Sequence, residues 1–125
     1  MNLNVEKILI IGLGMIGSSI ALASKSKGIK VYGFDKSNNS IKEALEKNII
    51  DSKVESILDI NSKDFVKKVD LIIVAVPPKQ TLDVLNDLKN IWNTDVTITD
   101  TSSVKNHIKL NLSLIHISEP TRRTQ

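Results

Sequence analysis

The run Lys7-Ile8-Leu9-Ile10-Ile11 passes directly into Gly12-Leu13-Gly14-Met15-Ile16-Gly17. An unbroken apolar stretch of that length suits a strand buried on both faces of a parallel sheet, and its stop at a glycine marks the strand end. The six residues that follow fit G-x-G-x-x-G. That pattern alone is common, but between a strand and a helix each glycine acquires a task. Gly12 permits the tight turn, Gly14 lets a diphosphate approach the backbone, and Gly17 allows helix and strand to pack closely. The N–H groups that open the helix, with the helix dipole behind them, would hold the phosphates. The alternative is a glycine turn that joins strand to helix and binds nothing.

The rest of the chain continues the alternation. Met15 to Lys27 carries Ile16, Ile20 and Ala23 at helical spacing, with Gly28 placed as a helix stop. Lys30 to Phe34 reads as a second strand. Ser40 with Glu43 forms a capping-box signature for a helix over Ile41 to Lys47. Val54 to Leu58 is a weak third strand and Asp64 to Lys68 a helical turn. Leu71 to Val76 is the next strongly apolar run, closed by Pro77-Pro78, which lack the donors a ladder needs. Leu82, Leu85 and Leu88 outline a helix over Gln80 to Asn90, and Val96 to Thr99 returns as a strand. The order predicts an α/β fold, a Rossmann-type doubly wound parallel sheet, incomplete in its later strands.

Asp35 closes the second strand eighteen residues after Gly17, near the position, about 20 residues on, where an acid meets the adenosine ribose. Its carboxylate can accept from the ribose hydroxyls and repels a 2′-phosphate, which favours NAD over NADP. Lys36 and Ser37 keep NADP possible. The competing role for Asp35 is a turn cap before Asn38-Asn39-Ser40.

Composition narrows the remaining classes. The net charge of +3 is small and the basic residues are scattered, so a nucleic-acid footprint is not expected. With no cysteine and only His107 and His116, neither a disulfide framework nor a metal site is expected. Apolar runs such as Ile8 to Ile11 are far below the roughly 18 residues of a membrane span. The opening residues lack the pattern of a secretory leader, and the expected location is the cytoplasm.

Four motifs, taken together, resemble the prephenate and arogenate dehydrogenases: Ile8 through Ser19, Val31-Tyr32-Gly33-Phe34-Asp35, Val74-Ala75-Val76-Pro77, and Thr99-Asp100-Thr101-Ser102-Ser103-Val104-Lys105. That family oxidises and decarboxylates prephenate or arogenate on the route to tyrosine, passing hydride to nicotinamide. The resemblance implies that Gly12, Leu13, Gly14, Met15, Ile16, Gly17, Asp35, Val76 and Pro77 border the cofactor. It also implies that Ser103 lies between nicotinamide and substrate, with Asp100 and Lys105 shaping its loop. The alternative for Ser103 and Lys105 is a helix cap and a solvated lysine. The family's catalytic histidine stands in a His-Pro-Met-like motif, and neither His107 nor His116 precedes a proline. No residue here is therefore assigned a catalytic role. The family's carboxylate-binding arginine and helical dimerisation domain are likewise expected beyond this chain, in a parent that is a homodimer.

Every lysine lies at or before Lys109, while Arg122 and Arg123 are the only arginines. Leu112 to Arg122 resembles a translated sequencing-library adapter, so residues 1–110 are expected to form the binding domain and 111–125 a non-native tail. The chain is then an amino-terminal fragment, inactive by itself and prone to aggregate. Two other readings share the fingerprint: an NAD(P)-dependent enzyme of the hydroxyacid or pyrroline-carboxylate reductase type, and a nucleotide-binding domain without catalysis.

Overall fold

The computed structural model describes residues 5–56, 69–88 and 96–101. Five parallel strands form one sheet: β1 (Lys7–Ile11), β2 (Lys30–Phe34), β3 (Ser52–Lys53), β4 (Leu71–Val74) and β5 (Thr97–Asp100). Three helices are described, α1 (Met15–Ser26), α2 (Asn38–Glu46) and α3 (Pro78–Asp87). The strand order is β3-β2-β1-β4-β5. β1 is thus central, paired with β2 from Lys7↔Lys30 to Ile11↔Phe34 and with β4 from Ile8↔Leu71 to Ile11↔Val74.

Alternation along the strands explains how the apolar run Ile8 to Ile11 of β1 is used. Ile8 and Ile10 join Val31, Leu71 and Ile73 on the face that α1 and α2 cover with Ile20, Ala21, Ile41 and Ala44. Leu9 and Ile11 join Ile72, Val74 and Ile98 on the opposite face, under Val84 of α3 and Leu88, the residue that caps its C-terminus. Helices therefore cover both faces, as the doubly wound fold requires. Each fully buried isoleucine or leucine contributes roughly 1.5–3 kcal/mol by leaving water.

The boundaries differ from the sequence reading in instructive places. β1 and β2 run as expected. α1 buries Gly17, Ile20, Ala21 and Ser24 rather than Ile16 and Ala23, a face rotated because Gly17 must sit against the turn before it. α2 starts at Asn38 with Ser37 as its cap, whose Oγ accepts the Ser40 N–H at 3.2 Å. Ser40 is thus the residue being capped, and the expected Ser40–Glu43 box does not form its N-terminus. β3 is Ser52–Lys53, in register with Tyr32 and Gly33, and Val54 adds one further bond, its N–H to the Gly33 carbonyl at 2.9 Å. Pairing thus comes before most of the expected Val54 to Leu58 strand, whose last two residues lie outside the described residues. β4 ends at Val74, opposite Ile11 where β1 ends, leaving Val76 in the loop. α3 begins at Pro78, a proline whose fixed φ and missing donor fit the first helical position. Leu82 is 71% exposed, and α3 buries Val84, followed by Leu88 at its C-cap. The helical turn expected over Asp64 to Lys68 lies outside the described residues.

Candidate functional site

The carboxyl ends of parallel strands are where loops can leave a sheet without disturbing its core, and ligands of open α/β sheets sit there. The turn after β1 is held from two sides. Gly12 donates its N–H to the Phe34 carbonyl at 2.8 Å, and Leu13 donates to Asp35 Oδ2 at 2.8 Å. Asp35 Oδ1 accepts the Ser37 N–H at 2.8 Å, so one carboxylate ties the glycine turn to the start of α2. Each oxygen retains acceptor capacity for a further hydroxyl.

The three glycines prove unlike one another. Gly12 has φ +104°, and a Cβ there would lie 2.6 Å from the Ala75 carbonyl oxygen, so both its conformation and its neighbour exclude a side chain. A Cβ on Gly17 would collide with the Gly12 carbonyl. At Gly14 a Cβ would meet nothing within 4 Å: that position is open space on the pocket wall, the room a group close to the backbone needs. Gly14 is also the N-cap of α1 and provides no side-chain cap, while the first turn carries no acidic residue. The amides that open α1 are thus left to an external acceptor, and no like charge on that turn opposes an anion.

These features surround a cavity of about 1040 Å³ whose wall includes Gly12, Gly14, Met15 and Ile16 from the turn, Asp35, Lys36 and Ser37 after β2, and Val76 and Pro77 after β4. It is large enough for an elongated ligand. Met15, 87% exposed, and Ile16 give that wall an apolar patch. Of the expected cofactor residues, Leu13 and Gly17 are absent from the wall. Leu13 turns its side chain into the core beneath α1 and α2, and Gly17 is spent on packing; both support the turn rather than face the cavity. Ser103 and Lys105 lie outside the described residues.

Sequence reasoning missed Gln80, Val84 and Asp87, which line the cavity from α3, and Thr101, directly after β5. The spacing of 80, 84 and 87 places them on one helical face, a signal masked by the leucines at 82, 85 and 88. Among the described residues no helix is long and apolar enough to cross a membrane.

Strand order 3-2-1-4-5, a glycine turn opening α1 and an acid closing β2 define a Rossmann-type dinucleotide-binding domain. Comparison with known proteins narrows the class. Residues 20–118 match the family model described as prephenate dehydrogenase, nucleotide-binding domain, and the chain belongs to that family. It is 35% identical over 111 residues to prephenate dehydrogenase of Bacillus subtilis and 40% identical over 106 residues to that of Lactococcus lactis. These alignments cover 86% and 82% of this chain but only 29% and 28% of the relatives. Among solved structures, prephenate dehydrogenase from A. aeolicus in complex with hydroxyphenyl propionate and NAD+ superposes with a TM-score of 0.69 at 30% identity, over 81% of this chain and 35% of the other. Synechocystis arogenate dehydrogenase shares the fold, with a TM-score of 0.67 at 23% identity over 94% of this chain and 37% of the other.

Proposed function

We infer that the chain binds NAD as the nucleotide-binding part of a prephenate dehydrogenase. The observation that carries the reading is Asp35, whose carboxylate is locked to the glycine turn through the Leu13 amide while it lines the cavity. With the adenosine ribose on Asp35, the diphosphate falls against Gly14 and the opening amides of α1, and the nicotinamide points toward Val76 and Pro77. A 2′-phosphate would meet the same negative charge, which favours NAD. Lys36 and Ser37 on the adjoining wall support a secondary affinity for NADP.

In the intact parent, the nicotinamide takes hydride from the substrate ring carbon bearing the hydroxyl, and loss of carbon dioxide then gives 4-hydroxyphenylpyruvate from prephenate. The protein residues described here orient the acceptor for that transfer. Ser103 is assigned to the substrate side, arogenate is the other candidate substrate, and the parent is read as a cytoplasmic homodimer. The binding role belongs to residues 1–110.

Calorimetric titration of the chain with NAD and NADP tests the reading. Saturable binding is expected, tighter for NAD, and Asp35→Ala should weaken NAD while narrowing its advantage over NADP. A folded chain that binds neither nucleotide defeats it.

A further inference from the structure

Thr101 follows β5 immediately and lines the same cavity, although it is only 8% exposed. At the β2 end the polar wall is Asp35, which holds two amides and keeps room for the ribose hydroxyls, and Ser37, whose Oγ caps α2. At the other end, Val76 offers an apolar side chain and Pro77 lacks even a backbone donor. Thr101 adds a hydroxyl there.

Adjacent strands lie about 4.8 Å apart, so β2 and β5, three steps removed in this sheet, are separated by about 14 Å. An extended dinucleotide spans that distance. With its ribose at Asp35 and its diphosphate at the β1 turn, its second base arrives at the ends of β4 and β5. A nicotinamide ring can rest on Val76 and Pro77, but its carboxamide, once taken from water, needs a polar partner.

Resting on the binding reading above, we propose that the Thr101 hydroxyl hydrogen-bonds the nicotinamide carboxamide and fixes which way the ring faces. Thr101 is a positioning residue for the ring and takes no part in holding the adenosine half. A hydroxyl can accept from the carboxamide NH2 or donate to its oxygen, so the assignment needs no particular rotamer of the amide.

The ligand pair NAD and ADP-ribose isolates this contact, because ADP-ribose keeps everything except the nicotinamide. With the full 125-residue chain, Thr101→Val should weaken NAD about three- to tenfold, the value of one hydrogen bond, and leave ADP-ribose unchanged. Valine keeps the shape, and Thr101→Ser, which keeps the hydroxyl, should restore NAD affinity. An equal loss for both ligands would make Thr101 a structural residue, and no loss for NAD would remove the contact; either result overturns the proposal. Absence of ADP-ribose binding by the unmodified chain would instead bring down the binding reading itself.

Discussion

Aspartates stand at both ends of this sheet and take backbone amides at both, and the cavity described above lies at the carboxyl end. At the amino end, Asp70, just before β4, accepts the Glu6 and Lys7 N–H groups at 2.8 and 3.0 Å, and Asp51, just before β3, accepts that of Val31 at 2.8 Å. At the carboxyl end, Asp35 does the same for Leu13 and Ser37. The first two carboxylates align neighbouring strands. Asp35 fixes a turn instead, and its surface belongs to the pocket wall. The same interaction is a staple where a strand begins and a preorganised acceptor where a strand ends, because only the outgoing loops leave room for a ligand.

Glycines give the strongest test of that contrast. Gly17→Ala drives a methyl into the Gly12 carbonyl, which belongs to backbone that cannot rotate away, and should cost about 3 kcal/mol or prevent folding. Gly28, between α1 and β2 at the amino end, has φ +82° but open space around a Cβ; Gly28→Ala should cost about 1–2 kcal/mol from backbone strain alone. Urea denaturation of the two variants checks the ranking. Equal losses would mean that the carboxyl-end turn is no more tightly packed than the amino-end one.

Next in size is the exchange of roles between Asp35 and Asp70. Asp35→Ala should weaken NAD about tenfold or more, since a charged acceptor is lost from the ligand as well as from the turn. Asp70→Ala should lower stability by about 1–3 kcal/mol through two stranded amides and leave NAD affinity alone. Paired calorimetry and melting curves separate the effects, and a matching loss of affinity in Asp70→Ala would erase the distinction between the two ends.

The legibility of the sequence followed the same division. β1 could be bounded from residues alone because its apolar run, buried on both faces, stops at a glycine, and β2 because its alternating Val31-Tyr32-Gly33-Phe34 stops at Asp35. The glycine turn and Asp35 were legible because their chemistry demands particular residue types at particular spacing. What stayed hidden depends on partners far along the chain. The early stop of β4 follows from the length of β1, and the cap at Ser37 follows from Asp35 Oδ1 drawing in the Ser37 amide. Leu13, which the motif placed beside the cofactor, contributes its amide to Asp35 and its side chain to the core. Thr101 and the α3 face at 80, 84 and 87 reach the cavity only through the β3-β2-β1-β4-β5 order, which no local pattern encodes.

The smallest effect concerns what holds the amino-end staple in place. Lys25 Nζ lies 3.3 Å from Asp51 Oδ1 and donates to the Asn48 carbonyl at 2.7 Å, with both ionic side chains partly exposed. An ion pair so placed is worth about 0.2–1 kcal/mol and weakens with salt. Val31 is wholly buried, so removing its acceptor with Asp51→Ala should cost more, about 1–3 kcal/mol, and that cost should persist in high salt. Lys25→Met, which keeps most of the stem, should therefore cost under about 1 kcal/mol, and less as salt is added. If Lys25→Met proves as damaging as Asp51→Ala at every salt concentration, the carboxylate is positioned by the lysine rather than by the strand amide, and the amino-end staple is ionic in origin.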